Sequence, residues 1–310
     1  MAQPPDAFYL QQPDGSRFCL HYPVRTGPVR GLCLYLHPLA EEMNKSRHMA
    51  ALGARALSEA GFAVLQIDLQ GCGDSSGDFE TASWRGWISD VQVASTWLRE
   101  HYAAAGEKPP PLWLWGLRAG CLLAVAAAAQ HPLDCHFIFW QPTLSGQQVL
   151  NQLLRLKWAE QLQAAHAGPD LAQVRQQLAQ GSPVEIAGYT LSTDLASGLE
   201  RAQLIPAGGN GNGRPVHQPS VQWFDISMAP KTEPSAATRA GVQAWRRCGY
   251  AVNVHLVQGP AFWQSSALET APTLVDASLT ALEQVMDQAM KQVMAQAHAV
   301  VQPLSGVRGV

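Results

Sequence analysis

Charge is what this 310-residue chain has least of. Charged residues make up 15% of it and the formal net charge is -3, so it has no basic field with which to hold nucleic acid. Its cysteines (Cys19, Cys33, Cys72, Cys121, Cys135 and Cys248) are scattered with no Cys-x-x-Cys pair. That spacing excludes a zinc-finger type of site and predicts buried free thiols. No apolar run reaches the roughly 20 residues that span a bilayer. Residues 1–15 are polar and contain proline, without the apolar stretch of a signal peptide. The expectation is a cytoplasmic protein with no membrane span, no metal and no cofactor.

Hydrophobic residues are plentiful at 47%, with 10 tryptophans. That suits one large domain, or a core domain with an insertion. The tryptophans either pack the core or line a pocket. Residues 8–12 and 17–22 flank the turn Pro13-Asp14-Gly15 and predict a paired opening of two strands. Apolar runs at 31–36, 62–67, 111–115, 137–140, 220–226 and 252–257 predict buried strands. Helical spacing predicts helices at 45–60, 83–100, from the Gly120 region to Gln130, at 236–248 and at 273–300. Strands alternating with helices make an α/β fold, with a mostly parallel central sheet flanked by helices and right-handed crossovers. The rhythm breaks after Gly146. Residues 147–204 are rich in Gln, Ala and Leu, and predict an inserted helical cap without strands. A Gly/Asn-rich mobile loop follows at 207–214. The expected organisation is a core of residues 1–146 and 215–310, with cap and loop at 147–214.

One local pattern carries most of the functional information. Pro111 to Trp115 read as a short strand, followed by Gly116-Leu117-Arg118-Ala119-Gly120 and an Ala/Leu-rich helix. Strand, Gly-x-Ser-x-Gly turn and helix form the elbow that presents a catalytic serine. Here the central residue is Arg118. A guanidinium stays protonated and is no acyl-accepting nucleophile. At a helix N-terminus it is suited instead to a carboxylate or phosphate.

Three stretches can be matched more closely: His37-Pro38-Leu39-Ala40-Glu41-Glu42-Met43-Asn44-Lys45-Ser46-Arg47, Gln70-Gly71-Cys72-Gly73-Asp74-Ser75, and Trp115-Gly116-Leu117-Arg118. With the strand order and the cap, they resemble the α/β-hydrolase superfamily. Within it they are similar to the exosortase A system-associated hydrolases of the type called hydrolase 2. The resemblance implies an α/β-hydrolase fold and a setting in bacterial protein sorting and exopolysaccharide export. Fold membership alone does not establish a reaction.

On this fold a triad runs serine, acid, histidine. Asp225 and Glu233 are the acids that can fill the second position, and Asp225 serves equally as a turn residue. The stretch Gly259 to Gln264, after the last strand, has no histidine, and His255 lies inside that strand. Near the elbow, His37 is either a base or donor, or a residue that orders its own loop. Glu41 or Glu42 can pair with Arg118 or work with His37. Cys121, in the first turn of the elbow helix, is a nucleophile only if its thiol is activated, and otherwise a small buried residue. Asp68 and Ser75 brace the strand exit, and Lys45, Ser46 and Arg47 cap and solvate a helix. Leu117, Trp140, Gln141, Phe262 and Trp263 stand at the carboxyl edge of the sheet, where α/β proteins bind ligands. They are expected, with Arg118, to line a pocket beneath the cap.

Three functions remain open. The first is a hydrolase fold without serine chemistry, binding an anionic or polar small molecule or a partner protein. The second is a hydrolase or acyl-transfer enzyme in which His37 with Glu41 or Glu42 activates water. The third is a structural partner in an export system, with the cap as its contact surface. Arg118 serves recognition in the first and catalysis in the second.

Overall fold

The computed structural model describes residues 4–104, 109–130, 133–163, 171–206 and 218–301. The expected loop at 207–214 lies outside them. The chain opens with the hairpin β1 (Asp6–Gln12) and β2 (Gly15–Tyr22), followed by β3 (Gly31–Leu36), α1 (Glu41–Glu59), β4 (Phe62–Ile67), α2 (Trp84–His101), β5 (Leu112–Leu117), α3 (Ala119–Gln130) and β6 (Cys135–Trp140). The cap holds α4 (Gly146–Gln163), α5 (Leu171–Ala179), β7 (Val184–Ile186), β8 (Tyr189–Leu191) and α6 (Thr193–Arg201). The core resumes with β9 (Ser220–Ser227), α7 (Ala236–Arg247), β10 (Ala251–Gln258) and α8 (Pro272–Val301).

The sheet order is β1-β2-β4-β3-β5-β6-β9-β10. The opening hairpin and the β2–β4 pairing are antiparallel, and the other pairings are parallel. β3 and β5 are buried at every position, as strands covered by helices on both faces must be. On one face Leu32, Leu34, Leu112 and Leu114 pack under α2 and α3, and the cap continues the same cluster over those helices. On the other, Trp113, Trp115 and Trp140 meet α1 and α8. Gly53 of α1 admits these rings: a Cβ there would lie 2.7 Å from Trp115. Most of the tryptophans are therefore core.

Two departures from the sequence reading bear on the site. Helix α1 starts at Glu41, four residues before the expected boundary. Ala40 takes φ 52°, a backbone state with little sequence signal outside glycine, and Glu41 and Glu42 then form the first turn. Acids are favoured there by the helix dipole. Lys45, Ser46 and Arg47 consequently lie inside the helix. The cap also contains strands: β7 and β8 form a small antiparallel hairpin across Ala187 and Gly188, both at positive φ. Three-residue strands are too short for an alternating pattern to stand out. Where the cap joins the core, its entering and leaving chains pair. Gly146 N donates to Ala202 O at 2.9 Å and Leu204 N donates to Leu144 O at 2.9 Å.

Candidate functional site

The turn between β5 and α3 is built as the glycine spacing requires. Arg118 sits at φ 55°, unusual for a side-chain-bearing residue. Added Cβ atoms explain the flanking glycines: at Gly116 one would lie 2.5 Å from Cys121 N, and at Gly120 one would lie 2.1 Å from Leu36 O. Arg118 N donates to Trp140 O at 3.1 Å, so the neighbouring strand holds the turn up to its tip. The first N–H groups of α3 have no partners within the helix.

The Arg118 side chain is nearly buried and meets three elements. Its Nε donates to Glu42 Oε1 of α1 at 3.3 Å. Its Nη2 donates to Gln152 Oε1 of cap helix α4 at 3.1 Å. Its Cζ lies 5.7 Å from the Trp263 ring centroid, within cation–π range. Of the guanidinium's five N–H donors, these bonds use two. Burial pushes the Glu42 carboxyl above the usual carboxylate range, and Arg118 opposes that rise.

The rest of the predicted constellation is arranged differently. His37 Nδ1 lies 2.8 Å from Pro38 O, and Leu69 N donates to His37 Nε2 at 3.4 Å. A carbonyl can only accept and an amide can only donate, so the proton is on Nδ1 and both nitrogens are engaged by backbone. Burial lowers the His37 pKa. Among the described residues no bond joins His37 to Glu41 or Glu42. Glu41 turns to the cap instead, where its Oε2 accepts from the Tyr189 hydroxyl at 3.2 Å and from Asn44 Nδ2 at 3.3 Å. Asp68 braces the strand exit through a two-pronged bond from Arg47, at 3.1 and 3.2 Å, and Ser75 Oγ donates to Asp68 O at 2.5 Å. Lys45 Nζ donates to Gln264 O at 3.2 Å, tying α1 to the loop after β10.

Among the described residues, the remaining triad positions bring no base and acid together. Asp225 Oδ2 accepts from the Thr238 hydroxyl at 3.1 Å. Glu233 is exposed and lies 3.6 Å from Arg239. His255 stacks on Phe224, and its Nε2 lies 2.9 Å from Gln222 Oε1. Cys121 is fully buried and its thiol pKa is pushed well up by that burial, which matches the reading of it as a small buried residue rather than an activated nucleophile. The helix N-terminus does not offset the loss of solvent.

Of the expected pocket residues, Leu117, Trp140 and Phe262 pack in the core against α1 and α8. Trp140 Nε1 donates to Ser278 Oγ at 2.9 Å. Gln141, at φ 43°, uses its side-chain oxygen to accept from Ile226 N at 2.5 Å. Trp263 is the member that reaches Arg118. Gln152 was absent from the sequence reading, because one glutamine in a Gln-rich cap helix carries no distinguishing signal. An open groove of about 580 Å³ lies away from the elbow, between α2, α3 and α6, lined by Trp84, Arg85 and Arg201 among others. Among the described residues no His/Cys/Asp/Glu group could hold a metal, and no helix is long and apolar enough to cross a membrane.

The mixed sheet with its antiparallel opening, the inserted cap and the strained turn after β5 define an α/β-hydrolase fold. The chain belongs to the family described as serine aminopeptidase S33, whose model matches residues 27–196, more than half of the sequence. Among solved structures it is similar to Est1E from Butyrivibrio proteoclasticus with ferulic acid bound, at TM-score 0.61 and 16% identity over 90% of this chain and 99% of that one. It is also similar to a soluble variant of Saccharomyces cerevisiae monoglyceride lipase, with TM-score 0.58, 18% identity and coverage of 92% and 96%. Mouse alpha/beta hydrolase domain-containing protein 10 gives TM-score 0.55, 14% identity and coverage of 92% and 99%. At these identities the likeness establishes the fold. No curated relative matches the sequence.

Proposed function

We propose that this protein is a non-hydrolysing member of its family that binds a small anionic ligand at the elbow. The observation that carries the reading is Arg118 itself, at the nucleophile position, held in a strained turn at a helix N-terminus and already contacting a carboxylate. A guanidinium with N–H groups to spare beside a helix N-terminus is an anion site by its chemistry. The absence of an assembled base supports the same reading. His37 is engaged on both nitrogens, Asp225 is bonded to Thr238, and residues 259–264 hold no histidine. Those bonds weigh against water activation by His37 with Glu41 or Glu42. The ferulic acid bound in one structural relative keeps carboxylic acids among the ligands to be tried.

The setting we propose is the exosortase- and exopolysaccharide-associated system, on the strength of the motif resemblance. A partner role within it draws support from Leu156, Trp158 and Ile205, large apolar side chains about half exposed on or beside the cap. The test is a thermal melt of wild type and Arg118→Gln with a panel of carboxylates and phosphates. Stabilisation of wild type alone is expected, and identical responses of the two proteins would contradict the assignment.

A further inference from the structure

Away from the elbow, the open groove between α2, α3 and cap helix α6 is lined by two arginines, Arg85 and Arg201. Among the described residues neither guanidinium has a hydrogen-bond or ion-pair partner. Elsewhere Arg17, Arg47, Arg118, Arg175 and Arg239 are each paired with a carboxylate. Asp194 is the acid in the groove lining, and no ion pair joins it to either arginine. It lies two turns from Arg201 along α6, roughly 10 Å by helical rise. Two cations against one acid leave the groove with an excess of positive charge.

Arg85 also stands against its helix dipole. It is the second residue of α2, whose first turn has no acid, whereas α1 begins with Glu41 and Glu42 and α6 has Asp194 in its first turn. Ser83 caps α2 by accepting from Gly86 N at 3.0 Å, which satisfies one N–H and adds no charge. A guanidinium at the positive end of a helix is unfavourable until an anion joins it. Arg201, in the last turn of α6, is at the end where the dipole favours a cation, and it brings a second planar set of donors.

The floor of the groove is apolar and preformed. Trp84 and Ile88, both buried side chains of α2, lie beside Ala126 and Gly198. Helix α6 is seated closely on α2 here: a Cβ at Gly198 would lie 2.2 Å from Trp84 Cβ. Ser192 Oγ donates to Ala82 O at 2.5 Å and ties the start of α6 to the chain entering α2. The volume of about 580 Å³ falls within the range of small-molecule sites.

We propose that this groove is a second ligand site, independent of the elbow, that takes a monocarboxylate with an apolar body. Arg85 and Arg201 supply the charge that holds the carboxylate, and the body lies on Trp84, Ile88 and Ala126. The single excess positive charge matches a monoanion better than a phosphate near two negative charges. Because the walls come from core helices and from α6, the occupant braces the cap against the core.

Titration calorimetry with hexanoate, acetate, 1-hexanol and inorganic phosphate tests this on wild type and on Arg118→Gln, which removes the charge of the elbow. The groove is then altered in both backgrounds, by Arg85→Gln with Arg201→Gln or by Ala126→Phe, with melting temperatures confirming that each variant is folded. Hexanoate is expected to bind Arg118→Gln, and to do so on the order of tenfold more tightly than acetate or 1-hexanol. Removing both groove arginines should weaken hexanoate about tenfold, and the Ala126→Phe ring should abolish its binding by filling the groove. Hexanoate binding that survives both groove alterations, or that is absent from Arg118→Gln and wild type alike, overturns the site. Equal binding of 1-hexanol overturns the role of the arginines, and equal binding of acetate overturns the apolar floor. Phosphate binding to Arg118→Gln as tight as hexanoate overturns the carboxylate class. Should Arg118→Gln fail to fold, the effect of the groove alterations on hexanoate binding in the wild-type background decides the same question.

Discussion

Arg118 and Glu42 form a 3.3 Å ion pair that joins the elbow of β5 to the first turn of α1. Both ends sit at helix N-termini, where the dipole favours the acid and disfavours the guanidinium. The carboxylate thus compensates Arg118, and Gln152 brings the cap into the same contact. The neighbouring acid, Glu41, makes its own contact with the cap through Tyr189. Consecutive residues of one helical turn therefore fasten two parts of the cap.

Arg118→Ala should lower unfolding stability by about 1–3 kcal/mol, because it strips a partly buried carboxylate of its partner. The loss stays below that of a sealed ion pair, since the Glu42 side chain is 25% exposed and can take up a proton. Chemical denaturation of Arg118→Ala, Glu42→Gln and the double variant measures the coupling. Additive losses would mean that the pair contributes nothing.

Gly120→Ala should be more damaging than Gly188→Ala. A Cβ at Gly120 meets the Leu36 carbonyl at 2.1 Å, whereas the space around Gly188 is open and only its positive φ resists a side chain. Backbone overlap at Gly120 is expected to cost several kcal/mol, roughly 3 or more, against about 1 kcal/mol at Gly188. Thermal melts of the two variants check this, and equal shifts would contradict the packing account.

Arg118→Ser should not yield an efficient esterase. The loop after β10, residues 259–271, holds no histidine, and His37 is engaged by Pro38 and Leu69. The missing general base is typically worth about 10²–10⁴-fold in rate. Ester turnover and fluorophosphonate labelling of the variant are the measurements. Fast turnover would reveal a base in reach of position 118.

Stability should fall as the solution is acidified from about pH 7.5 to about pH 5.5. His21, His37 and His255 all have pKa values pushed below the ordinary 6.5, chiefly by burial. The unfolded chain then binds protons that the folded chain does not. Their contribution is complete above the unfolded value and is lost as pH falls. Glu42 and Asp90 are raised by burial and act with the opposite sign. His37→Asn should flatten the dependence of melting temperature on pH, and an unchanged slope would exclude His37 as a contributor.

The elbow was legible because its glycines answer to sterics: Gly116 and Gly120 are needed for strand and helix to touch, whatever residue stands between them. The central sheet was legible because buried parallel strands read as short apolar runs between helices. The true start of α1 was not, since Ala40 adopts its positive φ with no glycine or asparagine to mark it. Nor could the sequence place Gln152 on Arg118, a contact made across the cap junction and between residues with no local relation. His37 illustrates a third case. Its type and position suggest a base, and only the surrounding backbone shows both nitrogens engaged. Trp140 and Phe262 likewise lie at the predicted sheet edge, but their rings are directed into the core by packing against α8.

The most direct test of the elbow as an anion site is the side-chain Nε–H resonance of Arg118, assigned by its loss in Arg118→Lys and followed by NMR during titration with acetate and with inorganic phosphate. The account predicts a saturable shift of that resonance with at least one of the two anions. A resonance that stays in place throughout both titrations would contradict it.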